Sequence, residues 1–260
     1  MPSKQPTALL TGSTLGIGRE LAHIFARNRH DLILVARNLE RLEEQARQIE
    51  RTYSVRAFPI SQDLSRPDAA YELFGRLPPD VPVDILVNNA GFGLFGEFAA
   101  CSLEEHTAML RLNIEAVTQL CHLALQEMLR RGRGRILNVA STAAFQPGPY
   151  LAVYYATKAY VLSLSEALHQ EVRGTGVTVT TLCPGVVPTQ FQERAGMKVR
   201  GLLLATALDA RTVAERGYRG MMEGRRLVIP GRLNQLLATL VKLAPRSLVV
   251  ELAARLNRGR

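Results

Sequence analysis

Tyr154 and Lys158 stand four residues apart in the stretch STAAFQPGPYLAVYYATK, which runs from Ser141 to Lys158. On a helix that spacing raises a phenol and an ammonium from one face, one turn apart. A tyrosine ordinarily titrates near pH ~10, and a cation ~4 Å away at an effective dielectric of ~20 supplies about 4 kcal/mol, or roughly three pKa units. The phenol could then trade protons near neutrality. Ser141 lies thirteen residues before Tyr154, at the end of an apolar run, RILNVAS, that reads as a buried strand. If that strand ends beside the start of the helix, the serine hydroxyl could hold a carbonyl oxygen against the phenol. Tyrosine and lysine four apart are common on helices, so the pair takes its meaning from the elements that position it.

The first of these is TALLT, a short buried strand, followed at once by TGSTLGIG and an amphipathic helix carrying Leu21, Ala22, Ile24 and Phe25. Glycine at Gly12 permits a tight turn, Ser13 and Thr14 sit within it, and Gly16 and Gly18 let backbone and helix N-terminus approach a pyrophosphate. The spacing is TGxxxGxG rather than GxGxxG. The second strand, DLILVA, ends eighteen residues after Gly18, where a dinucleotide fold that selects NAD carries an acid for the ribose 2′-hydroxyl. Ala36, Arg37 and Asn38 stand there instead. Without a carboxylate to repel a 2′-phosphate, and with a guanidinium to grip it, NADP is favoured over NAD; a plain surface arginine is the plainer alternative. A second helix (Leu39, Leu42, Ala46, Ile49) and a third strand, VRAFPI, lead to Asp63 and Leu64. That carboxylate could reach an adenine amino group, or could equally cap the helix after Pro67.

Strand four, VDILV, runs into NNAGFG, which leaves backbone free to face a ligand at the carboxyl edge of a parallel strand. SLEE at Ser102 to Glu105 is a capping box, opening a long helix towards Arg131. Within its apolar stripe (Met109, Leu112, Ile114, Val117) sits Asn113, either locally satisfied or marking a kink that exposes a polar group to a site. RILNVA, the Tyr154 helix and a sixth strand, VTVTTL, continue the alternation into CPGVVPT. Residues 190–207 are mixed and apolar, suiting a lid over a greasy substrate or an exposed helix packed on the body. A helix from Val213 to Met222 precedes RRLVIPG, a seventh strand. There is no internal repeat, low-complexity tract or linker, so residues 1–260 read as one domain.

Hydrophobic residues make up 47% of the 260 and charged residues 21%, which calls for a large core. Cys101, Cys121 and Cys183 show neither CxxC spacing nor an even count, which suggests a reducing compartment and no structural zinc. No apolar run reaches the ~18 residues of a membrane span, and the one after MPSKQP is too short for a signal peptide, so a cytoplasmic location is expected. The net charge of +9 is concentrated in the tail: from Arg211 to Arg260 there are eleven Arg or Lys and three Glu, a balance of +8. Few aromatics accompany them and no nucleic-acid-binding module is present, so nucleic acid is not the expected partner. Asn234 to Leu243 and Leu248 to Leu256, interrupted by Pro245, place leucines on helical faces. Such basic amphipathic helices (232–260) could rest peripherally on anionic lipid, or could close a pocket or a dimer interface.

Taken together, TGSTLGIG, NNAG, Asn113, Ser141, YYATK and PGVVPT resemble the short-chain dehydrogenase/reductase family in its compact single-domain branch. Any one motif is weak; six in the right order, spanning nearly the whole chain, are specific. The resemblance implies an α/β, doubly wound, Rossmann-like parallel sheet of seven strands, order 3-2-1-4-5-6-7, with helices on both faces. It implies reversible hydride transfer between a nicotinamide and a carbonyl or alcohol, with Tyr154 as general acid or base. Lys158 would assist the phenol and bind the nicotinamide ribose, Ser141 would orient the substrate oxygen, and Asn113 would hold a water. Gly12, Ser13, Thr14, Gly16, Ile17 and Gly18 match the pyrophosphate turn, Asp63 and Leu64 the adenine contact, and Asn89, Ala90 and Gly91 the ribose side. Pro184, Gly185, Val187 and Thr189 match the nicotinamide end, and Arg37 with Asn38 the NADP position. One departure is Leu15, where strongly NADP-preferring relatives often carry a second basic residue. Phe92, Phe95, Phe98, Phe145 and Phe191 would line an apolar pocket for a hydrophobic ketone or aldehyde, with 3-oxoacyl thioesters, steroids and retinoid-like compounds as candidates. A homodimer or homotetramer is implied as well. The rival reading from a different class is a non-catalytic NADP sensor with a basic interaction tail.

Overall fold

The computed structural model describes residues 5–78, 80–196, 204 and 206–258. Strands β1 (Thr7–Thr11), β2 (Asp31–Ala36) and β3 (Ala57–Ser61) alternate with helices α1 (Gly16–Arg27) and α2 (Leu39–Tyr53). After α3 (Ala69–Gly75), the chain crosses back to the sheet centre as β4 (Ile85–Asn88). It continues through α4 (Leu103–Leu110), α5 (Ala116–Arg131), β5 (Gly134–Val139), α6 (Ala152–Glu171), β6 (Val177–Leu182) and the short α7 (Gln190–Arg194). Helix α8 (Ala210–Met222), strand β7 (Leu227–Val228) and helices α9 (Arg232–Leu243) and α10 (Arg246–Arg258) complete the described chain. All seven strands are parallel, in the order β3-β2-β1-β4-β5-β6-β7. This is the doubly wound order expected from the alternation of strand and helix patterns.

Side chains alternate across each strand, so the sheet is greasy on both faces and needs helices on both. Leu9, Ile33, Val35, Leu86 and Ile136 pack with α3, α5 and α6; Ala8, Leu10, Leu32, Leu34, Val87 and Leu137 pack with α1, α2 and α8. Phe25 of α1 is fully buried, with its ring edge-on to Tyr218 of α8. Truncating such a side chain costs about 3–5 kcal/mol.

The site depends on the crossover between β1 and β4, where neighbouring strands send their next segments in opposite directions and open a crevice. One threonine pins it. Thr11 Oγ1 donates to the Val87 carbonyl and accepts from the backbone N–H of Asn89 and of Ala90. Next to it, Asn88 on β4 and Asn138 on β5 lie side by side in register and share a 2.8 Å hydrogen bond; Asn138 Nδ2 donates in turn to Ser165 Oγ at 2.9 Å. This buried polar chain ties α6 to the sheet two turns beyond Lys158, so the catalytic-candidate helix is held by more than apolar contact.

Two elements differ from the sequence reading. The long helix from Ser102 is interrupted at Arg111–Glu115 by a π-helical turn centred on Asn113; a polar residue whose amide bonds outside the helix lets the ladder slip by one residue, as π-turns do at functional sites. Strand β7 has only two residues, because Pro230 cannot donate to a ladder and Gly231, at φ +94°, turns the chain away.

Candidate active site

The carboxyl ends of β1, β2, β4, β5 and β6 border a cleft of about 880 Å³. Its narrowest construction is at the glycine turn. Gly12 takes φ +66°, a left-handed conformation that lets the chain leave β1 and reverse into α1. Gly18 is needed for close approach: a methyl there would meet the Gly12 carbonyl oxygen at 2.1 Å and Asn89 Nδ2 at 2.4 Å. Asn89 Nδ2 itself donates to the Thr11 and Gly12 carbonyls, so the loop after β4 clamps the loop after β1. Helix α1 begins without a side-chain cap at Leu15 and without an acidic residue in its first turn. Its first N–H groups and positive dipole end therefore face the cleft uncompensated, which suits the pyrophosphate of a dinucleotide.

Of the residues expected at this end, Gly12, Thr14, Gly16, Ile17, Asn89, Ala90 and Gly91 line the cleft. Ser13 does not: it is fully buried, and Gln45 Nε2 donates to its carbonyl. Gly18 is also buried, acting through the packing it allows. At the β2 edge, Arg37, Asn38, Asp63 and Leu64 line the cleft, joined by Arg41. Asn38 spends its side-chain oxygen on the Arg41 backbone N–H, capping α2. Asp63 accepts from both the N–H and the hydroxyl of Ser65. Burial alone would raise its pKa, yet those Ser65 bonds and the nearby Arg37 and Arg66 guanidinium groups outweigh it and hold the carboxyl below its usual value. Arg37 also borders an adjoining polar hollow with Arg66 and Arg76, so the cleft's outer corner is rich in guanidinium.

At the other end the three chemistry-bearing residues converge. Ser141, Tyr154 and Lys158 line the same cleft, with Pro184, Gly185, Val187 and Thr189 beside them. Ser141 follows β5 and accepts from the Ala143 N–H at 3.1 Å, which starts the 3-10 turn Thr142–Phe145. Lys158 Nζ donates to the Val139 carbonyl at 2.9 Å and lies 5.8 Å from the centre of the Tyr154 ring. Burial pushes the lysine's pKa down to about 8, against a smaller opposing influence from Cys183. It therefore remains mostly charged at pH 7 but is only about one unit from losing its proton.

Asn113 lies behind the cleft, 1% exposed. Its Oδ1 accepts from the Phe92 N–H, and its Nδ2 donates to the Phe92 carbonyl and to Thr157 Oγ1. The π-turn thus aims an amide that staples the β4 loop to α6, one residue from Lys158. The aromatic expectation needs correction. Phe92 and Phe191 do line the cleft, and Phe191 packs on the Tyr154 ring at 5.5 Å. Phe98 is 63% exposed and stacks on His106, Phe145 packs against the main core, and Phe95 joins a small cluster with Leu151 and Tyr155. In their place come Leu112, Tyr155, Gln146, Gln190 and Gln192, which makes this end mixed rather than purely apolar. Thr189 and Gln192 form a capping box at the start of α7, a signature the chain carries as TQFQ. Of the expected lid at 190–207, α7 closes on Tyr154 through Phe191, while residues 197–203 and 205 lie outside the described residues.

The short-chain dehydrogenase family model matches residues 6–199. The chain belongs to that family. The family comprises oxidoreductases acting on C=O and CH–OH groups. This short-chain dehydrogenase is 39% identical over 178 residues to a very-long-chain 3-oxoacyl-CoA reductase of Laccaria bicolor, covering 67% of this chain and 53% of that one. The chain thus spans about half the length of that relative. A very-long-chain 3-oxoacyl-CoA reductase-A of Danio rerio is 32% identical over 257 residues, 97% of this chain and 78% of the other. Among solved structures, a short-chain dehydrogenase from Sphingobium yanoikuyae in complex with NADPH is 32% identical, with a TM-score of 0.82 over 92% of this chain and 94% of that chain.

Proposed function

We propose that this short-chain dehydrogenase is an NADP(H)-dependent oxidoreductase that moves a hydride between the nicotinamide and a hydrophobic ketone, aldehyde or secondary alcohol. The observation that carries the reading is the single cleft with an uncapped helix N-terminus and Arg37 at one end and Ser141, Tyr154 and Lys158 at the other. That arrangement fits a dinucleotide lying along the strand ends with its reactive ring beside the phenol. When bound, the reduced nicotinamide supplies the hydride. In the reductive direction the Ser141 hydroxyl holds the substrate oxygen, Tyr154 gives that oxygen a proton, and the Lys158 ammonium offsets the charge left on the phenol. In the oxidative direction the Tyr154 phenolate takes the proton back. Asn113 keeps the β4 loop against α6, so the ring pocket and the acid share one frame.

NADP is favoured over NAD because Arg37 and Arg41 flank the β2 end, and the carboxylates nearby are already engaged, Asp63 by Ser65 and Glu72 by Arg66 and Gln62. For the substrate, Phe92, Leu112 and Phe191 supply apolar walls, and the glutamines add hydrogen-bonding groups. This supports a chain or ring system with a polar link near the carbonyl, and 3-oxoacyl thioesters are the first class to test, ahead of steroids and retinoid-like aldehydes. Assembly as a homodimer or homotetramer is part of the same reading. The intact serine, tyrosine and lysine leave the scaffold alternative without support. The decisive experiment is NADPH oxidation by the purified chain across 3-oxoacyl thioesters, steroid ketones, retinoid-like aldehydes and sugars, with Tyr154→Phe as control. Turnover confined to small polar sugars, or undiminished in Tyr154→Phe, overturns the proposal.

A further inference from the structure

Helices α9 and α10 carry a surface that the cleft does not use. On α9, Leu233, Leu236, Leu240 and Leu243 follow one another at steps of three and four residues, so they form one stripe. They are 41–79% exposed. On α10, Leu248, Leu252 and Leu256 repeat every fourth residue and are 45–48% exposed. The helices are nonetheless docked. Their other faces bury Asn234, Ala238, Val249, Ala253 and Asn257. Asn234 Nδ2 donates to the Pro230 and Thr206 carbonyls, and Asn257 Nδ2 to the Pro149 carbonyl. Four outward leucines on α9 and three on α10 give each anchored helix an apolar stripe that a monomer has no reason to leave in water.

The charges around the leucines indicate what covers them. Residues 232–258 contain Arg232, Lys242, Arg246, Arg255 and Arg258 against one acid, Glu251, and that acid is already paired with Arg255 at 2.6 Å. A second copy applied here would bring together two segments of net charge +4 each (five cations less one acid), an unfavourable pairing within the ~8–10 Å over which charges are felt at ordinary salt. A surface that is apolar beneath and anionic above meets both features at once. We propose that α9 and α10 form a docking face for anionic phospholipid, with the leucines entering the headgroup boundary and the arginines meeting phosphates.

The position of this face gives the docking a use. A methyl on Gly185, at the cleft wall, would strike Asn234 of α9 at 2.6 Å, and Lys242 lies over the Phe145 ring at 4.8 Å. Helix α10 ends with Arg258 bonded to the Tyr150 hydroxyl, four residues before Tyr154. By the faces opposite their leucines, α9 and α10 therefore pack on segments next to the cleft, through Gly185, Phe145 and Tyr150. Docking would hold the cleft close to the lipid surface from which a hydrophobic substrate comes; this last step rests on the function proposed above, and the docking does not.

Flotation with vesicles tests the docking directly, using the full chain with phosphatidylglycerol–phosphatidylcholine vesicles or phosphatidylcholine alone. The protein should float with the anionic vesicles at low salt, less at high salt, and about an order of magnitude less with phosphatidylcholine alone. Leu236→Glu/Leu240→Glu/Leu243→Glu should abolish flotation while keeping the NADPH melting shift and turnover of a water-soluble ketone. The milder Leu248→Gln/Leu252→Gln/Leu256→Gln, checked by the same melting shift, should weaken flotation if the glutamate variant does not fold. Failure of the unaltered protein to float on anionic vesicles at low salt overturns the proposal, as does equal flotation of the folded variants. A dimer in sedimentation that becomes monomer in the glutamate variant also overturns it, in favour of a second copy. Flotation without any NADPH-dependent turnover would instead leave the docking standing and remove the enzymatic reading.

Discussion

The dinucleotide end of the cleft comes from the turns after β1, β2, β3 and β4, those after β1 and β4 locked to each other by Thr11 and Asn89. The substrate end draws Phe92, Gln146, Tyr155 and Phe191 from four separate segments, one of them the short helix α7. The first end is held by buried backbone bonds and close glycine contacts, which tolerate almost no change. The second is held by side-chain packing around one tyrosine. A scaffold organised this way keeps its cofactor geometry constant and lets its substrate wall vary, so alterations at the two ends should fail in different ways.

The largest effect is expected where the ends meet. Tyr154→Phe should lower kcat by about 10²–10⁴-fold, with the NADPH melting shift intact; a loss of NADPH binding instead would move the phenol's role to the cofactor end. Next comes Gly18→Ala, whose methyl would collide with the Gly12 carbonyl. It should cost about 1–3 kcal/mol of stability and most NADPH affinity, read by thermal melting with and without cofactor. Arg37→Ala should raise KM for NADPH by about 10–100-fold and leave KM for NADH nearly unchanged; equal effects on both would assign the arginine to the surface. Phe191→Ala should change KM for long apolar substrates by about tenfold or less, with stability and cofactor affinity preserved.

A pH test addresses the junction itself. The Lys158 pKa in the folded chain, about 8, is below the value of 10.5 for an exposed lysine. Burying the charged form therefore costs stability in full below pH 8, and the cost is relieved as pH rises from about 8 towards 10.5, where the unfolded chain holds more protons. Without cofactor, the melting temperature relative to Lys158→Met should rise over that window. Reduction should slow over the same range, because the cation opposite the phenol is being withdrawn. A flat relative profile would mean that the ammonium is better solvated than its burial indicates.

Much of this was legible in the chain. Strand β6, Val177–Leu182, coincides with the VTVTTL stretch, and Thr7–Thr11 and Asp31–Ala36 with TALLT and DLILVA, because β-branched and aliphatic residues between turn signals mark strands buried on both faces. The Tyr154 and Lys158 pair, four apart on α6, needed only helical periodicity. What escaped was direction. Ser13 belongs to the glycine turn by sequence but points into the core, and Phe98 and Phe145 look like pocket residues but pack elsewhere. Asn113 announced an irregularity, yet nothing local said that its amide would clasp Phe92 and Thr157.

The sequence by itself determined the alternation of elements, the tight turn after β1, the cation beside the phenol and the basic leucine-bearing tail, since each depends on neighbours within a few residues. Only the tertiary structure decided which side chains of each loop face the cleft, that Lys158 is buried against the Val139 carbonyl, and that α9 and α10 sit beside the substrate end with their leucines outward. The physical reason is range. Periodicity and turn chemistry act over one or two turns of chain, whereas the orientation of a loop residue is set by whatever distant segment packs behind it.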